Sequence, residues 1–413
     1  MPVLATPTSG AGRDGGPGIA DRAARLQAEV DLSAVRGLTV VVDAGDGPAA
    51  EVLAAVLDAA VALRVVPLGR PDATRATPLT VATDATAETP WTGATPLTGA
   101  TDSAAETPWT GATDATGETN VPQETPSTGA AHTAEAAHPS GAQRDPDARR
   151  ALRAAVIDQH ADLGLAVDDA GGCLVVDESG TAVRAGVVAV LVGLRVVARE
   201  RTAGRTPTVV HDLLLSRAVP DLLATAGAVT VGIRTDARPG DPSTVLHTET
   251  TVHDGVLGVG LGARFAFRGI PAPDAGLLAA LHVLAAVGGQ PHPLSLLAEL
   301  YQPYATSGHL IRSVPDVAAA IERVQQAYVV GRGAGPVQAS GGTGPEGLLV
   351  SHWDSHPQWW FHLGAARPDL AEPSGPSGSS GPSGLVGLRV EAADEDIMDK
   401  VRDDVLALVQ DPA

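Results

Sequence analysis

Two apolar runs, ADLGLAV and CLVVDESG, are joined by five residues: Asp168, Asp169, Ala170, Gly171 and Gly172. Both runs read as strands, so the two acids sit on a tight turn at a strand end. Carboxylates placed there can hold a hard cation such as Mg²⁺, which takes oxygen ligands in near-octahedral geometry. Asp168 and Asp169 are the two acids that could serve; the competing reading is a structural β-turn, because only two adjacent acids are present and small neutral residues fill the rest. A second cluster, HWDSHPQWWFH, contains His352, Asp354, His356 and His362. Zinc is one reading of it, but an HxxxH pair aligns its imidazoles only on a helix, and proline and aromatics here indicate strands. His211-Asp212 follows a buried strand and fits either a cleft edge or a capping and core role. Gly258, Gly260 and Gly262 resemble a dinucleotide loop only weakly: no helix with a following acid supports them, so they read as turn residues. No GxSxG elbow occurs. Cys173 is the sole cysteine, which excludes an internal disulfide and a cysteine metal cage.

These residues need a scaffold, and composition bounds it. The chain has 413 residues, 44% of them hydrophobic but only 3% aromatic, so Leu, Val and Ala must fill the cores. That favours layered α/β packing, in about two to four domains at roughly 100–200 residues each. The formal charge of −20, from 48 acids against 28 bases, argues against nucleic-acid and anionic-membrane partners. Lys400 is the only lysine, so chemistry requiring a lysine elsewhere is excluded. No run of about 18 apolar residues predicts a membrane span, and the first residues lack a signal-peptide pattern; a cytoplasmic protein is the expectation.

Along the chain, residues 37–60 predict strand, glycine turn and helix, and 63–68 a second strand. Residues 76–140 contain eight acids and no Lys or Arg. Within them ETPWTGAT occurs at Glu88–Thr95 and again at Glu106–Thr113, carrying Trp91 and Trp109. So little apolar content predicts disorder. Helices are predicted over 146–160, 186–200, 216–227 with Ser216 as N-cap, 274–289, 292–304 and 394–410. Strands are predicted over 208–215, 228–233, within 255–268, and over 348–353, 359–365 and 388–392. The run PSGPSGSSGPSG at 373–384 is a second low-complexity segment.

The opening loop and its flanks resemble the metal loop of the phosphohexomutases, the phosphomannomutase/phosphoglucomutase family. There a strand of type ADLGxAFD leads into DGDADR and then CxVVDExG; here ADLGLAVD and CLVVDESG flank a loop one residue shorter. DLSAVRGLTVVVDAGDGPAAEVLAAVL resembles the opening of the family's second domain, with a GDG turn that is mainly structural. PTVVHDLLLSRAVPDLLATAGAVTVGIRT resembles the core of its third domain. The resemblance implies an isomerase, an intramolecular phosphotransferase of carbohydrate metabolism, with Mg²⁺ on three aspartates, a phosphoserine donor and arginine-clamped phosphates.

The residues at those loops differ. Asp168 matches the first metal ligand, and the later acids and the arginine have no counterpart. Where the sugar-selecting loop carries glutamate and serine, Leu261 and Ala263 stand. Where the phosphate loop RxSxTEP is expected, Gly364, Ala366 and a displaced Arg367 stand, so Arg367 is the candidate phosphate contact. No Gly-His pair or lysine follows the third-domain core, and no TxSHNP loop occurs in the sequence. No catalytic or substrate residue is therefore assigned, and no cofactor is expected.

The expected fold class is α/β: two α/β domains like the family's middle domains and a small C-terminal antiparallel sheet-and-helix domain. The expected boundaries are a disordered lead at 1–18; a second-domain-like unit at 19–181 with a disordered insertion at 74–142; a third-domain-like unit at 182–310; and a fourth-domain-like unit at 311–413 with the insertion 373–384. The leading functional expectation is a pseudoenzyme that regulates or scaffolds an intact phosphohexomutase, or associates with itself. A residual hexose-phosphate mutase and a sugar-phosphate sensor are the alternatives.

Overall fold

Strands that run almost wholly apolar fit parallel sheets, which are covered on both faces. Leu38–Asp43 (β1), Leu63–Pro67 (β2), Leu163–Val167 (β3) and Cys173–Asp177 (β4) form one such sheet, ordered β2-β1-β3-β4. β1 is parallel to β2 and β3, while β4 returns antiparallel from the turn that carries Asp168. A second sheet repeats the plan. Thr208–Asp212 (β5), Val229–Ile233 (β6), Leu257–Gly260 (β7) and Arg264–Phe267 (β8) are ordered β6-β5-β7-β8, with β8 again antiparallel. The Asp168 turn and the Leu261–Ala263 turn thus hold equivalent positions in two copies of one motif. The computed structural model describes residues 18–32, 35, 37–45, 48–57, 63–67, 146–238, 240–330, 337–344, 346–366 and 384–410. The expected lead, the insertion at 74–142 with Trp91 and Trp109, Arg367, and all but the last residue of 373–384 lie outside these.

Helices Ile19–Glu29 (α1), Pro48–Leu57 (α2), Pro146–Asp158 (α3), Ala185–Thr202 (α4), Ala218–Thr225 (α5), Pro242–Val252 (α6), Ala272–Gly288 (α7) and Leu294–Leu300 (α8) accompany the two sheets. α4 and α7 are apolar on nearly every face, and 14 of the 17 residues of α7 are buried. Helices of that composition belong inside a protein. One apolar core runs through both sheets, α1, α2, α4 and α7. Arg22 of α1 pairs with the buried Asp274 in the first turn of α7, with Nε at 2.8 Å.

The third sheet is antiparallel, ordered β10-β11-β12-β13-β9, from Ala305–Val314 (β9), Gln338–Gly341 (β10), Leu348–Ser351 (β11), Trp359–Ala365 (β12) and Gly384–Ala392 (β13). Alternate residues sort to opposite faces. Phe361, Leu363, Leu388 and Val390 share a core with Val317–Gln325 (α9) and Glu395–Gln410 (α10), whereas Leu349, Trp353 and Trp360 join the core of the first two sheets.

Some elements differ from expectation. The helix expected over 292–304 ends at Leu300, and Ala305–Val314 is a strand that straddles residue 310. Pro303 cannot continue a helix, and Gly308 and His309 blur the strand pattern. The expected strand 208–215 stops at Asp212, whose carboxylate turns the chain by accepting from Leu214 N at 2.8 Å. α5 starts at Ala218; Ser216 Oγ accepts from Ala218 N at 3.2 Å but is not the cap residue, which is Arg217. α6 lies where the sequence pattern predicts no helix: Asp241 caps it through Ser243 N and Thr244 N, with Pro242 in its first turn. Its threonines are poor helix formers, which hid it.

A Cβ at Gly276 of α7 would stand 2.5 Å from the carbonyl oxygen of Gly172. Gly276→Ala is therefore expected to destabilise by roughly 1–3 kcal/mol through overpacking. The same exchange in an open helix position stabilises by up to about 1 kcal/mol. A urea midpoint that rises rather than falls would contradict this packing.

Candidate functional site

Asp168 closes its own turn. Its Oδ1 accepts from Ala170 N at 3.0 Å and Gly172 N at 2.7 Å, while its backbone N–H donates to Gly172 O at 3.1 Å. This is the Asx arrangement by which aspartate stabilises tight turns. Gly171 has φ +79°, and a Cβ there would meet Phe265 O at 2.8 Å. The turn lies directly against its counterpart in the second sheet: Phe265 N donates to Gly171 O and Cys173 N to Ala263 O, both at 3.0 Å. Leu261 and Ala263, the residues expected at a sugar-selecting loop, are 2% and 1% exposed and so enclosed. Cys173 is fully buried, and burial together with Asp168 pushes its thiol pKa up, away from the thiolate.

Mg²⁺ does not fit these residues. Asp168 Oδ1 serves two amides, and among the described residues no group of three or more His, Cys, Asp or Glu is placed to hold a metal ion. The zinc reading fares the same way. His352 Nδ1 lies 2.7 Å from Pro357 O and its ring stacks on Trp359, Asp354 accepts from Gln338, and His362 Nε2 donates to Glu346 O at 2.9 Å. These groups do not converge. At the GDG turn, Asp43 Oδ1 accepts from Gly45 N at 3.2 Å, which is turn chemistry; Asp46 and Gly47 lie outside the described residues.

His211 and Asp212 end β5 buried. Asp212 accepts from Leu214 N, Thr235 N and the Thr235 hydroxyl, and burial still raises its pKa. Burial lowers the pKa of His211 to about 4. The polar face of the third sheet grips the loop that follows. Glu391, 1% exposed, accepts from Arg217 N at 2.7 Å and Trp360 Nε1 at 3.3 Å, and burial raises its pKa in spite of Arg389 beside it. Arg389 Nη1 donates to Leu214 O at 2.9 Å and its guanidinium lies 5.6 Å from the Trp360 ring centroid. Beyond β6, Arg234 makes a two-pronged pair with Asp236, at 2.7 and 2.8 Å, and donates also to Glu346 O. Arg217, Arg234, Arg389 and Glu391 escaped the sequence reading. The visible signal was LRVEA, an apolar strand with two charges on one face. Arg367, the candidate phosphate contact, lies past the last described residue of its loop, Ala366.

The sequence matches no protein-family model and no curated protein. The structure does match solved ones. A phosphoglucomutase/phosphomannomutase family protein from Burkholderia thailandensis superposes with a TM-score of 0.57 at 15% identity, over 96% of this chain and 65% of that one. A candidate phosphomannomutase from Thermus thermophilus gives 0.52 at 13% identity, over 95% and 65%. The chain therefore has a phosphohexomutase-type α/β fold with a C-terminal antiparallel sheet, and it spans 65% of the length of each of these structures. Among its described residues no helix is long and apolar enough to cross a membrane.

Two measurements check this reading. Asp168→Ala removes the acceptor for two turn amides and is expected to cost about 1–2 kcal/mol. Millimolar Mg²⁺ is expected to leave the melting temperature of the parent chain unchanged, since a bound ion stabilises by mass action; a rise abolished in Asp168→Ala would establish a metal site. The second concerns pH. His282 of α7 is 3% exposed, stacks on Phe267 and has its pKa lowered to about 3 by burial and by Arg195 and Arg199. A folded-state pKa below the unfolded value means that the unfolded chain binds the extra proton. Stability is then complete above about pH 6.5 and falls as pH drops towards 4. His282→Leu is expected to flatten the thermal-unfolding profile between pH 6.5 and 4.5 by roughly 1–3 kcal/mol. Equal slopes in parent and variant would refute it.

Proposed function

We propose that this chain is a non-catalytic protein of phosphohexomutase type, which regulates or scaffolds an intact phosphohexomutase. One observation carries the reading: Asp168, at the position of the first metal ligand, directs its carboxylate into its own turn, and that turn is hydrogen-bonded to the buried Leu261–Ala263 hairpin. Phosphoryl transfer depends on positioning and on neutralising charge over the moving group. The side chains that stand at the corresponding places are poorly suited to either task. Leu261 and Ala263 offer no hydrogen bond to a sugar hydroxyl, and an unpaired buried hydroxyl costs about 1–3 kcal/mol. Gly364 and Ala366 offer no cation to a phosphate, whose usual partner is a two-pronged arginine. Arg234, which reaches Glu346 O ahead of β11, is already paired with Asp236.

The proposal predicts background turnover of glucose-1-phosphate and mannose-1-phosphate in coupled assays containing Mg²⁺. It also predicts co-elution with a complete phosphohexomutase in size-exclusion chromatography at micromolar concentration. Turnover well above background removes the non-catalytic reading; separate elution removes the partnership.

A further inference from the structure

Two glycines of the third sheet make room for two imidazoles. Gly364 of β12 and Gly387 of β13 lie opposite each other, and in the next row His362, Arg389 and His309 stand side by side on β12, β13 and β9. Paired residues share a face of the sheet, as do residues two apart on a strand. A Cβ at Gly364 would stand 3.2 Å from the His362 ring, and one at Gly387 would overlap His309 Nε2. Each ring therefore lies over its neighbouring glycine. The face is the one from which Arg389 bonds Leu214 O.

One carbonyl joins this row to the second sheet. Glu346 O, ahead of β11, accepts from His362 Nε2 at 2.9 Å and also from Arg234, which follows β6. The side chains of Arg234 and its partner Asp236 are each 10% exposed. Glu391, two residues on from Arg389, holds Arg217 N and lies within the field of Arg389. With both histidines neutral the layer is balanced: Arg234 is matched by Asp236, and Arg389 by Glu391.

Protons upset that balance. Like charges opposite each other on neighbouring strands are destabilising. An imidazolium at His362 would flank Arg389 and share the Glu346 oxygen with Arg234; one at His309 would flank Arg389 from the other side. Burial lowers the pKa of His362 to about 4, helped by Arg234 and His309 and opposed by the Glu346 carbonyl and Asp236. His211, buried at the end of β5 with Arg217 and Asp221 near it, is a further imidazole on the second sheet's side. We propose that the row is an acid-operated release: protons taken up by His362 and His309 drive Arg234 from the Glu346 carbonyl and undock the third sheet from the second. Phosphosugar turnover plays no part in it. The undocked state binds the protons more tightly, so docking is complete above about pH 6.5 and is lost as pH falls towards 4.

Hydrogen exchange tests this. The Arg217 amide, held by Glu391, reports docking, and α7 in the shared core reports global unfolding. With intrinsic exchange rates divided out, residues 213–218 are expected to exchange at least about 30-fold faster at pH 5 than at pH 7.5. At pH 5, α7 is expected to stay at least about tenfold better protected than that segment. His362→Gln keeps a donor for Glu346 O but takes up no proton, and is expected to remove about tenfold of the acceleration. His309→Gln is expected to remove part of it. The proposal fails if acidification leaves residues 213–218 unchanged or if α7 loses protection to the same level, both read on the parent chain alone. It fails equally if either variant accelerates as much as the parent.

Discussion

The backbone contact between two tight turns organises this molecule. The turn after β3 and the turn after β7 hydrogen-bond to each other through Phe265 N to Gly171 O and Cys173 N to Ala263 O. Buried amides and carbonyls must be paired, so each turn completes the other. The approach is close enough that Gly171 needs a positive φ and Gly276 can carry no side chain. With those two glycines in place, α7 sinks between the sheets and one apolar core serves both. Asp168 belongs to the same arrangement, because its carboxylate fixes the turn that makes the contact.

The third sheet adds directional bonds to the apolar contact that Leu349, Trp353 and Trp360 make with the shared core. Its apolar face is closed by α9 and α10, and its other face carries Trp360, Arg389 and Glu391. Burying an acid and a guanidinium is costly unless each is well hydrogen-bonded. Here the partners are backbone groups of the loop after β5, Leu214 O and Arg217 N, together with the Trp360 indole. Asp212 shapes that loop from within. Directional bonds of this kind fix an orientation in a way that a smooth apolar contact does not. The same loop leads into α5, whose Arg217 and Asp221 line a cleft beside Trp353.

Local signals made much of the fold legible. Valine-rich runs with glycine turns marked the strands of the first two sheets, and longer apolar stretches, Val-rich in α4 and Ala- and Leu-rich in α7, marked those helices. The flanks ADLGLAVD and CLVVDESG carried a family resemblance that a shared fold at 15% identity now accompanies. Legibility failed where local preference was weak. α6 is rich in threonine, and β9 is half-buried along most of its length, so neither displays a clean period. The cleft was illegible for another reason: Arg217 and Asp221 stand four apart at the start of α5, but Tyr304 and Trp353 come from two other segments, and no spacing rule joins the three.

The sequence by itself determined the α/β class, the strand–turn–strand around Asp168 and the apolar character of Leu261 and Ala263, because these depend on residue type and near neighbours. Only the tertiary structure decided that the Asp168 and Ala263 turns bond to each other, that Arg389 and Glu391 bind backbone 174 or more residues away, and that side chains of three separate segments meet in one cleft. Such contacts arise from the order in which strands pair and from the burial each pairing enforces, and a pattern of local preferences does not contain that information.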